Sequence, residues 1–120
     1  MVRSVSYSCA VELAVDTLGG KWKTVLLAHL KEGDLRYVEL KRLVPALSDK
    51  MLTQRLHDLV ALGLVQRRRE RYRLTERGRS LAPVLEALYA WGTRIAEEDG
   101  IALAPIPRVA DAQRSSARAR

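Results

Sequence analysis

The chain of 120 residues has little of what extracellular, metal-binding or membrane-spanning proteins need. It contains one cysteine, which excludes an intramolecular disulfide and a cysteine-built zinc site. Its two histidines, His29 and His57, leave little for a histidine-based metal site. No apolar run approaches the ~18 residues of a membrane span, and residues 1–8 lack the apolar stretch of a signal peptide. We therefore expect a reducing, cytoplasmic setting with no metal, no cofactor and no membrane contact.

The parts of an enzyme active site are also missing from the sequence. It has no Ser/His/Asp set, no paired-carboxylate constellation and no glycine-rich phosphate loop. At 48% hydrophobic residues the chain can nevertheless bury one compact core. The sequence therefore predicts a single folded domain that binds rather than catalyses.

Positive charge is concentrated in one segment. The chain carries +7 in total, and residues 64–79 alone carry seven arginines and two glutamates. Residues 80–107, by contrast, carry one arginine and four acidic residues. A basic segment between near-neutral and acidic ones is typical of a polyanion-binding surface, with an ordinary solvated charge cluster as the alternative.

Apolar residues at helical spacing predict helices over residues 9–18, 21–30, 38–44 and 49–62, with a short extended piece at 35–37. Ser48 is a favourable N-cap for the last of these, in which Leu52, Leu56, Leu59 and Val60 should face inward. His29 is placed at the polar edge of its helix, and Trp22 is placed in the core.

Over residues 64–74 the spacing of apolar residues changes from the helical period to the two-residue period of a β-strand. Tyr72 and Leu74 then share one face, and the pattern predicts a two-stranded hairpin with its tip near Arg69-Glu70. A long helix should follow, broken near Ser80 because of Pro83 and ended by Gly100. We expect residues 1–100 to form the domain and residues 101–120 a mobile basic tail.

Helices followed by a hairpin in this order predict a mainly α fold with a small β-hairpin, a winged helix-turn-helix with flanking dimerisation helices. The helix at 49–62 is then the recognition helix. A step of 100° per residue turns Lys50, Gln54, His57 and Ala61 outward, with Thr53 and Asp58 beside them. Glutamine can pair with adenine, and lysine can reach guanine or a phosphate.

Motifs spread along the chain carry a family resemblance. They are Cys9-x-Val11-Glu12, Leu18-Gly19-Gly20-Lys21-Trp22, Arg36-Tyr37-x-Glu39-Leu40, Ser48-x-Lys50-x-Leu52-Thr53-Gln54-Arg55-Leu56, Gly63-Leu64-Val65, Tyr72-x-Leu74-Thr75-x-x-Gly78, Leu81-x-Pro83-Val84-Leu85 and Trp91-Gly92. Over about residues 9–92 the chain resembles the HxlR-type winged-helix regulators, relatives of the MarR group. The resemblance implies a homodimeric transcription factor that binds inverted-repeat double-stranded DNA and dimerises through its first and last helices.

Two departures from the family pattern stand out. Ala10 occupies the position after the cysteine where relatives usually have proline, and the wing is several residues shorter than usual. We expect the short wing to supply charge in place of reach through Arg67, Arg68, Arg69 and Arg71. The predicted DNA contacts are Lys21, Lys23, Arg36, Ser48, Lys50, Thr53, Gln54, Arg55, His57, Arg67, Arg68, Arg69 and Arg71.

The first and last helices carry more apolar surface than a small core should need. The predicted dimer interface consists of Val11, Ala14, Val15, Leu88, Tyr89, Trp91 and Ile95. Cys9 begins the first helix, a position at which a cysteine can be reactive. Several relatives sense oxidants or quinones with a cysteine in this place; packing at the dimer seam is the alternative. A cleft beside the dimer helices offers room for a small aromatic or electrophilic effector.

Other functional classes remain open at this stage. A basic RNA-binding module would need aromatic side chains on its basic surface, because single-stranded RNA is bound mainly by stacking. In this chain only Tyr72 lies in the basic segment, and its alternation turns it inward. A protein-interaction winged helix is permitted by the acidic final helix but disfavoured by the arginine-rich wing. The leading prediction is a sequence-specific regulator, most simply a repressor.

Overall fold

The computed structural model describes residues 6–103, which form helices and a small sheet. The elements are α1 (Ala10–Leu18), α2 (Lys21–Lys31), β1 (Leu35–Arg36), α3 (Tyr37–Leu43), α4 (Asp49–Ala61), β2 (Val65–Arg68), β3 (Arg71–Leu74), α5 (Glu76–Arg79) and α6 (Ala82–Asp99). The predicted mainly α fold with a small β-hairpin is confirmed, whereas dimerisation through the flanking helices stays a prediction. Most of the predicted tail, residues 104–120, lies outside the described residues. Within residues 6–103, no helix combines the length and apolarity needed to cross a bilayer.

Side-chain caps and prolines set the helix boundaries that the sequence predicted. The Ser48 hydroxyl accepts a hydrogen bond from the Met51 N–H at 3.2 Å at the start of α4. The predicted break is present, because α5 ends at Arg79 and α6 begins at Ala82. Pro83 lies in the first turn of α6, where its missing N–H costs nothing. Gly100 ends α6 in the left-handed conformation at φ 64°.

The sheet has one more strand than the predicted hairpin. Its order is β1-β3-β2, and both pairings are antiparallel. Leu35 pairs with Tyr72 and Arg36 with Arg71, so the extended piece joins the edge of the hairpin. Strand β3 is consequently central, and the hairpin is attached to the chain segment that enters α3.

Among residues 6–103, the largest side chains that are fully enclosed belong to the core. They are Leu26, Leu27, Leu35, Leu40, Leu47, Leu52, Leu56, Leu59 and Val65. The prediction for Val60 was wrong, because its side chain is 42% exposed. Eight steps of 100° leave Val60 about 80° away from Leu52, beyond the part of α4 that the core covers.

His29 is the other residue whose predicted position was wrong. It is buried, with 8% of its surface exposed, because α2 is enclosed by β3, α4 and α6 together. Burial lowers the pKa of its imidazole. Trp22 packs against the core from the start of the same helix, as predicted. A helix surrounded on several sides thus buries even the edge of its polar face.

Candidate nucleic-acid interface

The N-terminal half of α4 presents an uninterrupted polar face. Ser48, Lys50, Thr53, Gln54 and His57 are all exposed, as the helical period predicted. Side chains of this kind at the start of a recognition helix can reach base edges in a major groove. Each individual DNA contact remains a prediction.

Tyr37 ties the starts of α3 and α4 together. Its hydroxyl donates to Asp49 Oδ1 at 2.8 Å, across the turn between the two helices. Burial, followed by the hydrogen bond to the Asp49 carboxylate, raises the pKa of the Tyr37 phenol. Lys41 Nζ also donates to the Leu47 carbonyl, which closes the same turn. These bonds fix the angle at which α4 projects from the domain.

Asp58 contacts two of the predicted DNA-binding side chains. Gln54 Nε2 donates to Asp58 Oδ1 at 2.9 Å, and Arg55 Nε lies 3.1 Å from Asp58 Oδ2. The sequence analysis placed Asp58 only beside the recognition face. Its spacing of three and four residues from these partners is the signal that predicts such pairs on a helix.

The wing is a tight hairpin covered with exposed arginines. Arg68 pairs with Arg71, so Arg69 and Glu70 form a two-residue loop at the predicted tip. Arg69 has a backbone φ of +60°, in the left-handed region that residues other than glycine rarely adopt. Arg67 lies over the Tyr72 ring at 5.8 Å, while Tyr72 itself packs against the core as predicted. The exposed positive charge thus stands at the end of a short, rigid arm.

Glu39 is a buried acid that the sequence analysis did not single out. Its side chain accepts a hydrogen bond from the Arg36 backbone N–H at 2.8 Å. Arg36 Nε lies 3.6 Å and Arg71 Nη1 4.0 Å from the same carboxylate. Two predicted phosphate-binding arginines are therefore held against one acid, and Arg71, with its side chain 53% exposed, retains more access to solvent than Arg36.

Lys21 and Lys23 lie at the start of α2, whose first turn contains no acidic residue. Lys21 is exposed and places its Nζ 4.5 Å from the centre of the Trp22 ring. Lys23 is half-buried. The N-terminus of a helix adds free N–H groups and a partial positive charge that favour phosphate. Contact of either lysine with DNA remains a prediction.

The outer faces of α1 and α6 carry a large apolar surface. Val11 is 70% exposed, Val15 64%, Tyr89 65% and Trp91 56%. Ala14 and Leu88 are also exposed, and Ile95 is half-buried. In α6 only Leu85 and Ala96 are buried. Except for Ile95, the residues predicted for a dimer interface are therefore left uncovered by the chain's own core.

Cys9 and an apolar cleft lie next to the exposed apolar faces of α1 and α6. Cys9 is exposed at the N-cap of α1. A cleft of about 240 Å³ opens between α1 and the start of α6, lined mainly by apolar side chains such as Leu13, Leu18 and Val84. Arg77 and Ser80 supply polar groups at this cleft. Its lining combines apolar side chains with a few polar groups, the composition that contacts the apolar part of a ligand.

A helix-turn-helix that exposes the start of its second helix beside an arginine-rich wing defines a winged helix-turn-helix DNA-binding protein. The chain belongs to the HxlR-like helix-turn-helix family, whose model matches residues 17–100. Proteins of this family are DNA-binding transcriptional regulators and not enzymes. The predicted class of protein is thereby confirmed.

Curated relatives support the same class. The chain is 44% identical over 93 residues to an HTH-type transcriptional regulator of Methanothermobacter thermautotrophicus, covering 72% of this chain and 71% of that protein. It is 45% identical over 93 residues to the HTH-type transcriptional regulator YtcD of Bacillus subtilis, covering 72% of this chain and 74% of the relative.

Solved structures of related regulators superpose on the chain. The oxidised form of the redox regulator HypR gives a TM-score of 0.67 at 38% identity, covering 72% of this chain and 96% of HypR. Quinone-bound YodB from B. subtilis gives 0.64 at 33% identity, covering 70% of this chain and 96% of YodB. The chain is therefore a transcriptional regulator of the HxlR and MarR type.

Proposed function

We propose that this protein is a homodimeric repressor that binds an inverted-repeat operator through α4 and the wing. The observation that carries the proposal is the exposed polar start of α4 beside the exposed wing arginines Arg67, Arg68, Arg69 and Arg71. The helix supplies groups that distinguish bases, whereas the arginines supply phosphate contacts that position the protein. A cytoplasmic, nucleoid-associated location follows from this activity.

The exposed apolar surface supports the homodimer. Trp91 and Tyr89 of α6, with Val11 and Val15 of α1, would leave water if a second copy packed against them. A two-fold axis through this surface pairs each patch with itself and presents two copies of α4 to DNA. Dimerisation therefore stabilises the protein and creates the symmetry that an inverted repeat requires.

Regulation by a small molecule or an oxidant is the second part of the proposal. HypR is named a redox regulator and YodB is described as quinone-bound, and both superpose on this chain. Cys9 is exposed at the edge of the proposed dimer surface, and the cleft beside Leu13 and Arg77 can hold an aromatic or electrophilic effector. Binding of an effector in the cleft or oxidation of Cys9 would change the packing of α1 against α6. The spacing of the two α4 helices in the dimer would then change as well.

Selection of bound duplexes from a random pool tests the proposal. We expect an inverted repeat, retained on duplex DNA in preference to single strands, with binding that weakens steeply as salt rises. Gln54→Ala and Lys50→Ala should relax base preference at particular positions, whereas Arg68→Ala should weaken all sequences alike. Equal binding of single strands and duplexes, or no sequence preference, would instead favour an RNA-binding or protein-interaction module.

A further inference from the structure

Asp58 lies one turn after Gln54 on α4, and its two carboxylate oxygens serve different neighbours. Oδ1 accepts the Gln54 amide N–H at 2.9 Å, and Oδ2 lies 3.1 Å from Arg55 Nε. The Asp58 side chain is 31% exposed and Gln54 is exposed, so the hydrogen bond between them lies at the surface of α4. Arg55 Nε contributes opposite charge beside Oδ2 without hydrogen-bond geometry, so the directional contact of Asp58 is the one with the Gln54 amide.

We infer that Asp58 is a positioning residue that orients the Gln54 amide and thereby makes it select adenine over guanine. The inference rests on the proposed function, because it concerns how the recognition helix discriminates bases. Asp58 acts through Gln54 and needs no contact of its own with DNA.

The argument follows from the donors and acceptors of the two side chains. A carboxylate accepts hydrogen bonds and donates none, so only the NH₂ end of the Gln54 amide can face Asp58. One of the two amide hydrogens is then engaged. The amide keeps one N–H donor and its carbonyl acceptor for a base.

That remaining pair matches one purine and not the other. Adenine presents the N7 acceptor and the N6 donor in the major groove, which complement one N–H and one carbonyl. Guanine presents two acceptors, N7 and O6, so it would place O6 against the Gln54 carbonyl. An amide released from Asp58 can turn and offer both N–H groups to guanine. The Asp58 contact therefore removes the orientation that guanine requires.

Asp58→Asn is the informative substitution, because it keeps the size of the side chain and removes its acceptor-only character. The asparagine amide can donate to the Gln54 carbonyl, which frees both Gln54 N–H groups. Gln54→Ala first identifies the operator position that Gln54 contacts. At that position we expect Asp58→Asn to lower the preference for adenine over guanine by roughly tenfold. Asp58→Ala should have the same effect and serves as the second variant.

Two controls separate orientation from charge and from stability. Glu70→Gln removes one negative charge from the exposed wing tip, and it should change affinity for adenine and guanine operators equally. Thermal unfolding of Asp58→Asn shows whether the fold is retained. In the double variant Gln54→Ala with Asp58→Asn, base preference should equal that of Gln54→Ala alone, because the oriented group is gone.

The outcomes distinguish this inference from the proposed function. A wild-type protein that selects no sequence would overturn both. If the wild type selects an operator but Asp58→Asn keeps the adenine-to-guanine ratio, the inference is wrong and the proposed function stands. It is equally wrong if Gln54→Ala alters no position, or if Asp58→Asn changes base preference in the Gln54→Ala background.

Discussion

Arg71 of the wing lies with its Nη1 4.0 Å from the carboxylate of Glu39, a residue that is only 2% exposed. The same carboxylate accepts the Arg36 backbone N–H at the start of α3. One buried acid therefore joins the wing to the helix-turn-helix. The position of the wing arginines relative to α4 depends on this link as well as on the pairing of β1 with β3.

Replacement of Glu39 should lower stability. Glu39→Gln keeps a hydrogen-bond acceptor for the Arg36 N–H but removes the charge that attracts two guanidinium groups. We expect the free energy of unfolding to fall by about 1–3 kcal/mol. Urea denaturation measures it, with Glu70→Gln at the exposed wing tip as the matched control, expected within about 0.5 kcal/mol of the wild type. Equal stability of the two variants would contradict the role of Glu39.

The wing tip offers a second test, in which stability and DNA binding should change in opposite directions. Arg69 has φ +60°, so Arg69→Gly relieves the backbone strain and should stabilise the protein by about 0.5–1 kcal/mol. Loss of the charge should weaken DNA binding at every sequence. In Arg68→Gly, the glycine falls within a strand and should destabilise the protein. A less stable Arg69→Gly protein would refute the strain argument.

His29 should make stability depend on pH. Burial lowers the pKa of the His29 imidazole below its ordinary value, so the folded state binds a proton less readily than the unfolded state. The resulting stability is present above about pH 6.5 and is lost as the pH falls below it. Denaturation at pH 7.5 and at lower pH should show this decline in the wild type and in His57→Gln, since His57 is exposed. A decline of the same size in His29→Gln would assign it to other groups.

Cys9 allows the redox part of the proposal to be tested separately. Diamide or a quinone should release DNA from the wild type and leave Cys9→Ser bound, because the sequence contains no other cysteine. A covalent dimer formed on oxidation must also disappear in Cys9→Ser. An equal response of both proteins, or no response in either, would leave Cys9 with a packing role alone.

Features with a local cause could be predicted from the sequence. The period of 3.6 identified the helices, and Ser48, Pro83 and Gly100 marked boundaries within a residue or two of those observed. Features that depend on the three-dimensional arrangement were missed. The sequence indicated an extended piece at 35–37, but its pairing with β3 was missed, because two residues are too few to show a period and the pairing depends on the open edge of β3.

Burial and polar pairing were harder to predict than the order of elements. Whether His29 faces solvent depends on how many elements surround α2. The helical spacing of apolar residues carries no information about that number. The role of Glu39 depends on Arg71, which follows it by 32 positions in the printed sequence. The contact between Gln54 and Asp58 is local, and its spacing of four residues was visible in the sequence.

The apolar faces of α1 and α6 lead to the last prediction, which concerns symmetry. Val11, Val15, Tyr89 and Trp91 are each more than half exposed, an arrangement that a second copy would bury. A two-fold dimer presents two α4 helices, which enter successive major grooves when they stand about 34–36 Å apart. The operator half-sites should therefore be centred about 10 base pairs apart, or a whole number of turns more. Moving them by about five base pairs places them on opposite sides of the duplex and should abolish tight binding, whereas a full-turn insertion is the matched control.

The same pairing predicts that Trp91→Ser shifts the sedimentation of the protein toward the monomer and, at the same time, weakens operator binding. A wild-type protein that sediments as a monomer at micromolar concentration, or that tolerates the half-turn insertion, would show that these faces do not pair across a two-fold axis.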